Sequence, residues 1–185
     1  MDDDVPAQGA SEAITLLRKL GAENIDHPGG TLLAHLIRVR DRLARWEARP
    51  ALQLAGLCHA FYGTDGFATA LLPTDRRAEL RSVIGTEAEA QVHFYASCDR
   101  AASYPGFASP SPAFRDRFTG RTWSPALQQR RDFAELTAAN ELDLVDENPR
   151  WRAEWGADLL ALFTGFRPLL SDQAWHDCAK TLRPA

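Results

Sequence analysis

The stretch Thr31-Leu32-Leu33-Ala34-His35-Leu36-Ile37, continuing through Arg38-Val39-Arg40-Asp41-Arg42-Leu43 to Trp46, decides the fold. Leu32, His35, Leu36, Val39, Leu43 and Trp46 recur at helical spacing, which predicts an amphipathic helix capped by Thr31 and running to about Glu47. His35 lies on the apolar stripe and is therefore expected to point inward. A buried imidazole needs a partner, because an unpaired polar group in the interior costs free energy. The next segment offers one. Pro50 to Phe61 is apolar on nearly every side, with Gln53 the chief exception, and predicts an enclosed central helix with Pro50 at its first position. His59 sits near the C-terminal end of that helix, on the stripe of Leu52, Ala55 and Gly56. Two histidines on neighbouring helices define a candidate site if their rings converge.

Working outward, Ser11 is expected to cap a first helix that ends at Leu20 and Gly21, with residues 1–10 disordered. Asp26-His27-Pro28-Gly29-Gly30 reads as a turn at a helix start. Its backbone N–H groups make His27 a candidate anion or substrate contact, beside the plainer reading of an ordinary turn. After His59, Tyr62-Gly63-Thr64-Asp65-Gly66 forms a loop where Tyr62, Thr64 and Asp65 could line a pocket or simply make the turn. Asp75 to Ile84 predicts another helix closed by Gly85, and Thr86-Glu87-Ala88-Glu89 reads as a capping box that starts the next one. That helix carries His93, Tyr95 and Asp99. His93 and Glu89 are spaced for a surface pair, and Asp99 either pairs locally with Arg100 or reaches the site.

Residues 103–124 hold Pro105, Pro110 and Pro112 with several Gly and Ser residues, a long connection of the kind used as a lid or binding loop. Arg115, Arg117 and Arg121 within it are either solvated or anion contacts. Ser124-Pro125 opens a helix to about Val145, on which Asn140 is a polar position among Phe133, Leu136, Ala139 and Leu142. Two more helices follow Pro149 and Ser171, and their Trp151, Trp155 and Trp175 read as packing. With no internal repeat and no period-two strand, the expected fold is all-α: one domain over 1–185 with seven to eight helices.

Composition narrows the class. The 185 residues are 45% hydrophobic and 25% charged, with a net charge of −4, which fits a globular chain and argues against a dedicated nucleic-acid binder. Cys58, Cys98 and Cys178 are far apart and never in a CxxC pair, so reduced thiols are expected and a structural zinc site is not. Met1-Asp2-Asp3-Asp4 lacks the pattern of a signal peptide, and no apolar run approaches a membrane span. A cytoplasmic protein is the expectation, with a small-molecule ligand and neither nucleic acid nor membrane as partner.

The segments around the two histidines resemble the first half of an HD-superfamily domain, with AGLCHAFYGT (residues 55–64) where that family carries its His-Asp pair. Residues 81–92, with Ile84-Gly85 and Glu89, are similar to the helix-turn-helix after the motif in alarmone-hydrolase relatives. The combination of HPGGTLLAH (27–35), LCHAFYGTDGF (57–67), DRFTG (116–120) and AANELD (138–143) is similar to an uncharacterised bacterial domain-of-unknown-function family over most of residues 20–145. The HD resemblance implies a divalent ion (Fe, Mn or Zn) held by two histidines and two aspartates. Here Ala60 and Asn140 stand where the aspartates belong, leaving His35 and His59, with His27, His93, Asp65 and Asp99 as possible supplements; His35, His59 and Asp99 would make a facial iron-type triad. The expected function is a small-molecule enzyme with His35, His59, Asn140 and Tyr62 as catalytic candidates and His27, Thr64, Asp65 and Asp99 as substrate contacts. It would hydrolyse with a metal, or work through an imidazole base without one. An HD-like oxygenase and a non-catalytic metabolite-binding or sensor module are the alternatives.

Overall fold

A computed structural model describes residues 5–183. Cα packing divides the chain into two compact units that meet in sequence between Ala96 and Ser97. Among the described residues there are eight α-helices and two short antiparallel strand pairs, so the fold is all-α in substance. No described helix is long and apolar enough to cross a membrane.

The first unit is built on α1 (Val5–Lys19), α2 (Leu32–Arg45), α3 (Pro50–Cys58) and α4 (Arg77–Ala96). Helix α1 begins at Val5, ahead of the expected Ser11 start, so residues 5–10 are helical; residues 1–4 lie outside the described residues. Between α1 and α2 the expected turn closes as a two-residue hairpin, β1 (Asp26–His27) against β2 (Gly30–Thr31). Thr31 caps α2 as its sequence implies, its Oγ1 accepting from Ala34 N at 3.2 Å. Leu32, Leu36, Val39 and Leu43 of α2, Leu52 and Leu57 of α3, and Phe61 form a buried core with Leu17 of α1 and Leu80 of α4.

Helix α3 is shorter than its apolar run suggests. It ends at Cys58 because the backbone turns: Phe61 N donates to Cys58 O and Gly63 N to Ala60 O, with Gly63 at φ 67°. Phe61 O then accepts from both Leu71 N and Leu72 N at 2.9 Å, which ties the returning loop down. The two helices expected on either side of Gly85 are both present; they follow one another directly across a kink, where Gly85 adopts a non-helical φ 83° and ψ 165°, and together they are labelled α4. Only glycine takes that conformation without strain.

The second unit contains α5 (Arg100–Ser103), β3 (Phe114–Arg115) paired with β4 (Thr122–Trp123), α6 (Leu127–Glu147), α7 (Pro149–Phe166) and α8 (Asp172–Leu182). The segment 103–124 is thus not a bare loop but carries a small hairpin, whose turn is held by Asp116 Oδ1 accepting from Phe118 N and Thr119 N. Phe107, Phe114, Phe133, Phe163 and Phe166 make this unit's aromatic core. Trp151 and Trp155 lie ring to ring at 6.0 Å, but Trp155 is exposed, so only part of the expected tryptophan packing is realised.

Helices α2 and α3 pass close to one another at Gly56. A Cβ there would meet Leu43 Cδ1 at 2.5 Å and Val39 Cγ1 at 3.5 Å, both on fully buried side chains. Gly56→Val should therefore destabilise the protein by about 1–3 kcal/mol through overpacking. Urea unfolding of the variant should show a lower midpoint at an unchanged slope; wild-type stability would contradict the close crossing.

Candidate functional site

Three imidazoles meet in the first unit, each from a different element. His27 of β1 stacks on His35 of α2, with ring centroids 4.0 Å apart and planes 26° apart. His59, at the end of α3, stands edge-on to His35 at 5.3 Å and 78°. Phe67 closes the row beside His27 at 5.7 Å, and Tyr95 of α4 closes it beside His59 at 5.6 Å. His35 and His59 are buried, while His27 is half-buried. The expected convergence of His35 and His59 is present, and His27 joins them.

Local structure fixes the rings. His59 Nδ1 lies 2.8 Å from Gly56 O, and a carbonyl can only accept, so Nδ1 carries the proton. In the neutral ring Nε2 is then the basic nitrogen. Arg38, one turn after His35 on α2, donates from Nη1 to Gly29 O (3.2 Å) and from Nη2 to Pro28 O (3.1 Å). One helix thus supplies both the ring that His27 stacks on and the guanidinium that clamps its turn. Sequence reasoning gave Arg38 no role; the available signal was its i+3 spacing from His35 on the helix that follows the turn.

Next to His59, burial pushes the Cys58 thiol far up, so it supplies no thiolate nucleophile. Tyr62 is buried, and its hydroxyl donates to Glu89 Oε1 at 2.9 Å. Burial and that carboxylate push the phenol up. Glu89 does not serve a capping box, and it is no surface partner for His93, because its carboxylate is buried and committed elsewhere. Arg77 reaches Oε1 from Nε at 2.6 Å and Oε2 from Nη2 at 2.9 Å, and Arg81 Nη2 reaches Oε2 at 3.2 Å. Burial works against the charged form, but the bonds from Arg77, Tyr62 and Arg81 outweigh it and hold the carboxyl below its usual range. His93 is half-buried, edge-on to the Tyr62 ring at 6.1 Å.

The remaining candidates make turns and caps. Thr64 is buried, and its Oγ1 accepts from Phe67 N at 3.0 Å, so it shapes the turn that carries Phe67. Asp65 is exposed at that turn. Asp99 and Asn140 belong to the second unit. Asp99 caps α5, accepting from Ala102 N at 3.0 Å, and lies 3.6 Å from Arg115 Nε rather than pairing with Arg100. Arg100 instead reaches Glu141 Oε1 at 3.3 Å. Asn140 is buried on α6 and donates from Nδ2 to Glu141 Oε1 at 3.2 Å.

The donor set does not fit an HD-type ion. Among the described residues no group of three or more His, Cys, Asp or Glu side chains is arranged to hold a metal. Ring lone pairs lie in the ring planes, and the nearly parallel planes of His27 and His35 do not direct theirs to a common point. Cys58, Cys98 and Cys178 are buried and form no disulfide, as their spacing implied.

Residues 16–100 match an uncharacterised domain family, described as Domain of unknown function (DUF6817). That span contains the imidazole cluster together with Tyr62, Glu89 and Tyr95. No curated protein and no solved structure matches the chain.

The depressed Glu89 carboxyl makes a pH prediction. A carboxylate whose folded pKa lies below its ordinary 4.5 stabilises the fold above that value, and the contribution disappears as pH falls through the folded pKa. Glu89→Gln should cost about 2 kcal/mol near neutral pH, less than a fully enclosed pair because the arginines are partly exposed. Urea midpoints of wild type and variant should converge as pH falls below 4.5 and through the lowered folded-state pKa; a gap that stays constant would contradict the assignment.

Proposed function

We propose that the first unit is an HD-like helical scaffold whose histidine cluster serves a small-molecule enzyme by proton transfer, without the divalent ion of the parent design. The observation that carries this reading is the meeting of His27, His35 and His59, with the His59 proton fixed on Nδ1 by Gly56 O. His59 Nε2 is then the general base. His35 stands edge-on to it, with ring centroids 5.3 Å apart. The HD likeness is supported by His35 on one helix and His59 at the end of the next, with the family's aspartate replaced by Ala60. No step is assigned to a metal, since the donor set does not fit one; the hydrolytic and oxygenase variants that need an ion rest only on the resemblance.

A specific observation favours a second reading, a non-catalytic module that binds a metabolite. Tyr62, expected to position substrate, donates its hydroxyl to Glu89 instead, and no aspartate accompanies His59 in sequence.

The two separate in one experiment. Chelator-dialysed protein is incubated with a cell-extract metabolite pool, and the pool is followed by mass spectrometry and ligand-observed NMR. Consumption of a compound, slowed ~100-fold or more by His59→Ala, is the expected result. Binding without consumption supports the second reading. Stoichiometric iron, manganese or zinc in protein purified without chelator, lost in both His35→Ala and His59→Ala, would overturn the metal-independent mechanism.

A further inference from the structure

The carboxylate of Glu89 closes a circuit of contacts around His59. Its side chain is 1% exposed, whereas Arg77 and Arg81 are 30% and 46% exposed, so the acceptor is enclosed and the donors reach in from outside. The two arginines lie on the part of α4 before the Gly85 bend, and Glu89 lies on the part after it. Tyr62 approaches from the segment that leaves α3, three residues past His59. Four hydrogen bonds therefore converge on one carboxylate, three across the bend from the arginines before it and one from the His59 segment.

The same half of α4 also carries Tyr95, whose ring stands 86° to that of His59 at 5.6 Å. Less than two helical turns separate Glu89 from Tyr95 on the part of α4 after the bend, so the two move as one rigid piece. The path from His59 to Tyr62, through Glu89, along the helix to Tyr95 and back to His59 is closed. A buried ion pair of this kind contributes little net stability over a well-packed apolar replacement, and its best-attested use is to select one geometry. The Gly85 bend leaves a geometry to be selected, because glycine, with no Cβ, is the residue in α4 whose torsions are least restricted by sterics.

We propose that Glu89 is a positioning residue: by locking the bent α4 onto Tyr62, it sets where Tyr95 meets His59 and so fixes the His59 ring and its protonated nitrogen. This rests on His59 as the base of the proposed site, but its test needs neither substrate nor turnover.

The readout is the imidazole 15N and Cε1–Hε1 NMR signature of His59 in ligand-free protein, compared in wild type, Glu89→Gln and Glu89→Asp. Aspartate keeps the charge but is one methylene too short to hold both arginines and Tyr62. Positioning predicts that both variants displace the His59 ring signals and erode the preference for a proton on Nδ1. Leu17→Ala, a core truncation on α1, should leave those signals in place while lowering stability, which separates positioning from general loosening. Tyr62→Phe keeps the carboxylate and both arginines while cutting one link, and should shift His59 even if the Glu89 variants fold poorly. Wild-type His59 signals in the folded variants would overturn the proposal. So would a shift in Glu89→Gln alone, which would mark a through-space charge effect.

Discussion

The close passage of α3 over α2 at Gly56 is the contact on which the rest of the first unit depends. With no side chain at that position, the two helices come near enough for Leu43 and Val39 to fill the gap themselves. The same residue's carbonyl holds His59 Nδ1. One glycine therefore brings the helices bearing His35 and His59 together and also decides which nitrogen of His59 is basic. The position is small for packing reasons, and the chemistry of the ring follows from that packing.

Around this crossing, three unrelated local devices deliver the other side chains. The β1–β2 hairpin, clamped by Arg38, lays His27 over His35. Hydrogen bonds at Phe61 O and the Thr64–Phe67 turn return the chain with Phe67 beside His27. The bent α4 brings Tyr95 to His59 and spends Glu89 on holding its own bend. Each device uses ordinary backbone or ion-pair chemistry, and none requires a ligand to be in place.

Much of the helical framework was legible because it rests on local rules. Thr31 capping α2, Pro50 opening α3, and Pro149 and Ser171 marking the starts of α7 and α8 all follow from short-range hydrogen bonding and backbone restriction. The inward face of His35 followed from spacing alone. What the sequence hid were choices made by tertiary contacts. Thr86-Glu87-Ala88-Glu89 has the letters of a capping box, but Arg77, Arg81 and Tyr62 compete for Glu89 and win because together they satisfy a buried carboxylate. The apolar run to Phe61 suggests a longer helix, yet the carbonyl of Phe61 is taken by the returning loop. His27 is indistinguishable in sequence from any turn residue, since its stacking partner is set by how the hairpin folds back onto α2.

The central claim is that three imidazoles from three segments share one cluster. Nuclear Overhauser contacts among assigned ring protons of His27, His35 and His59 test it most directly. Cross-peaks from His35 to both other rings are expected, strongest to the stacked His27 at 4.0 Å between centroids and weaker to His59 at 5.3 Å. Assigned rings with no cross-peak between His35 and either neighbour would contradict the account.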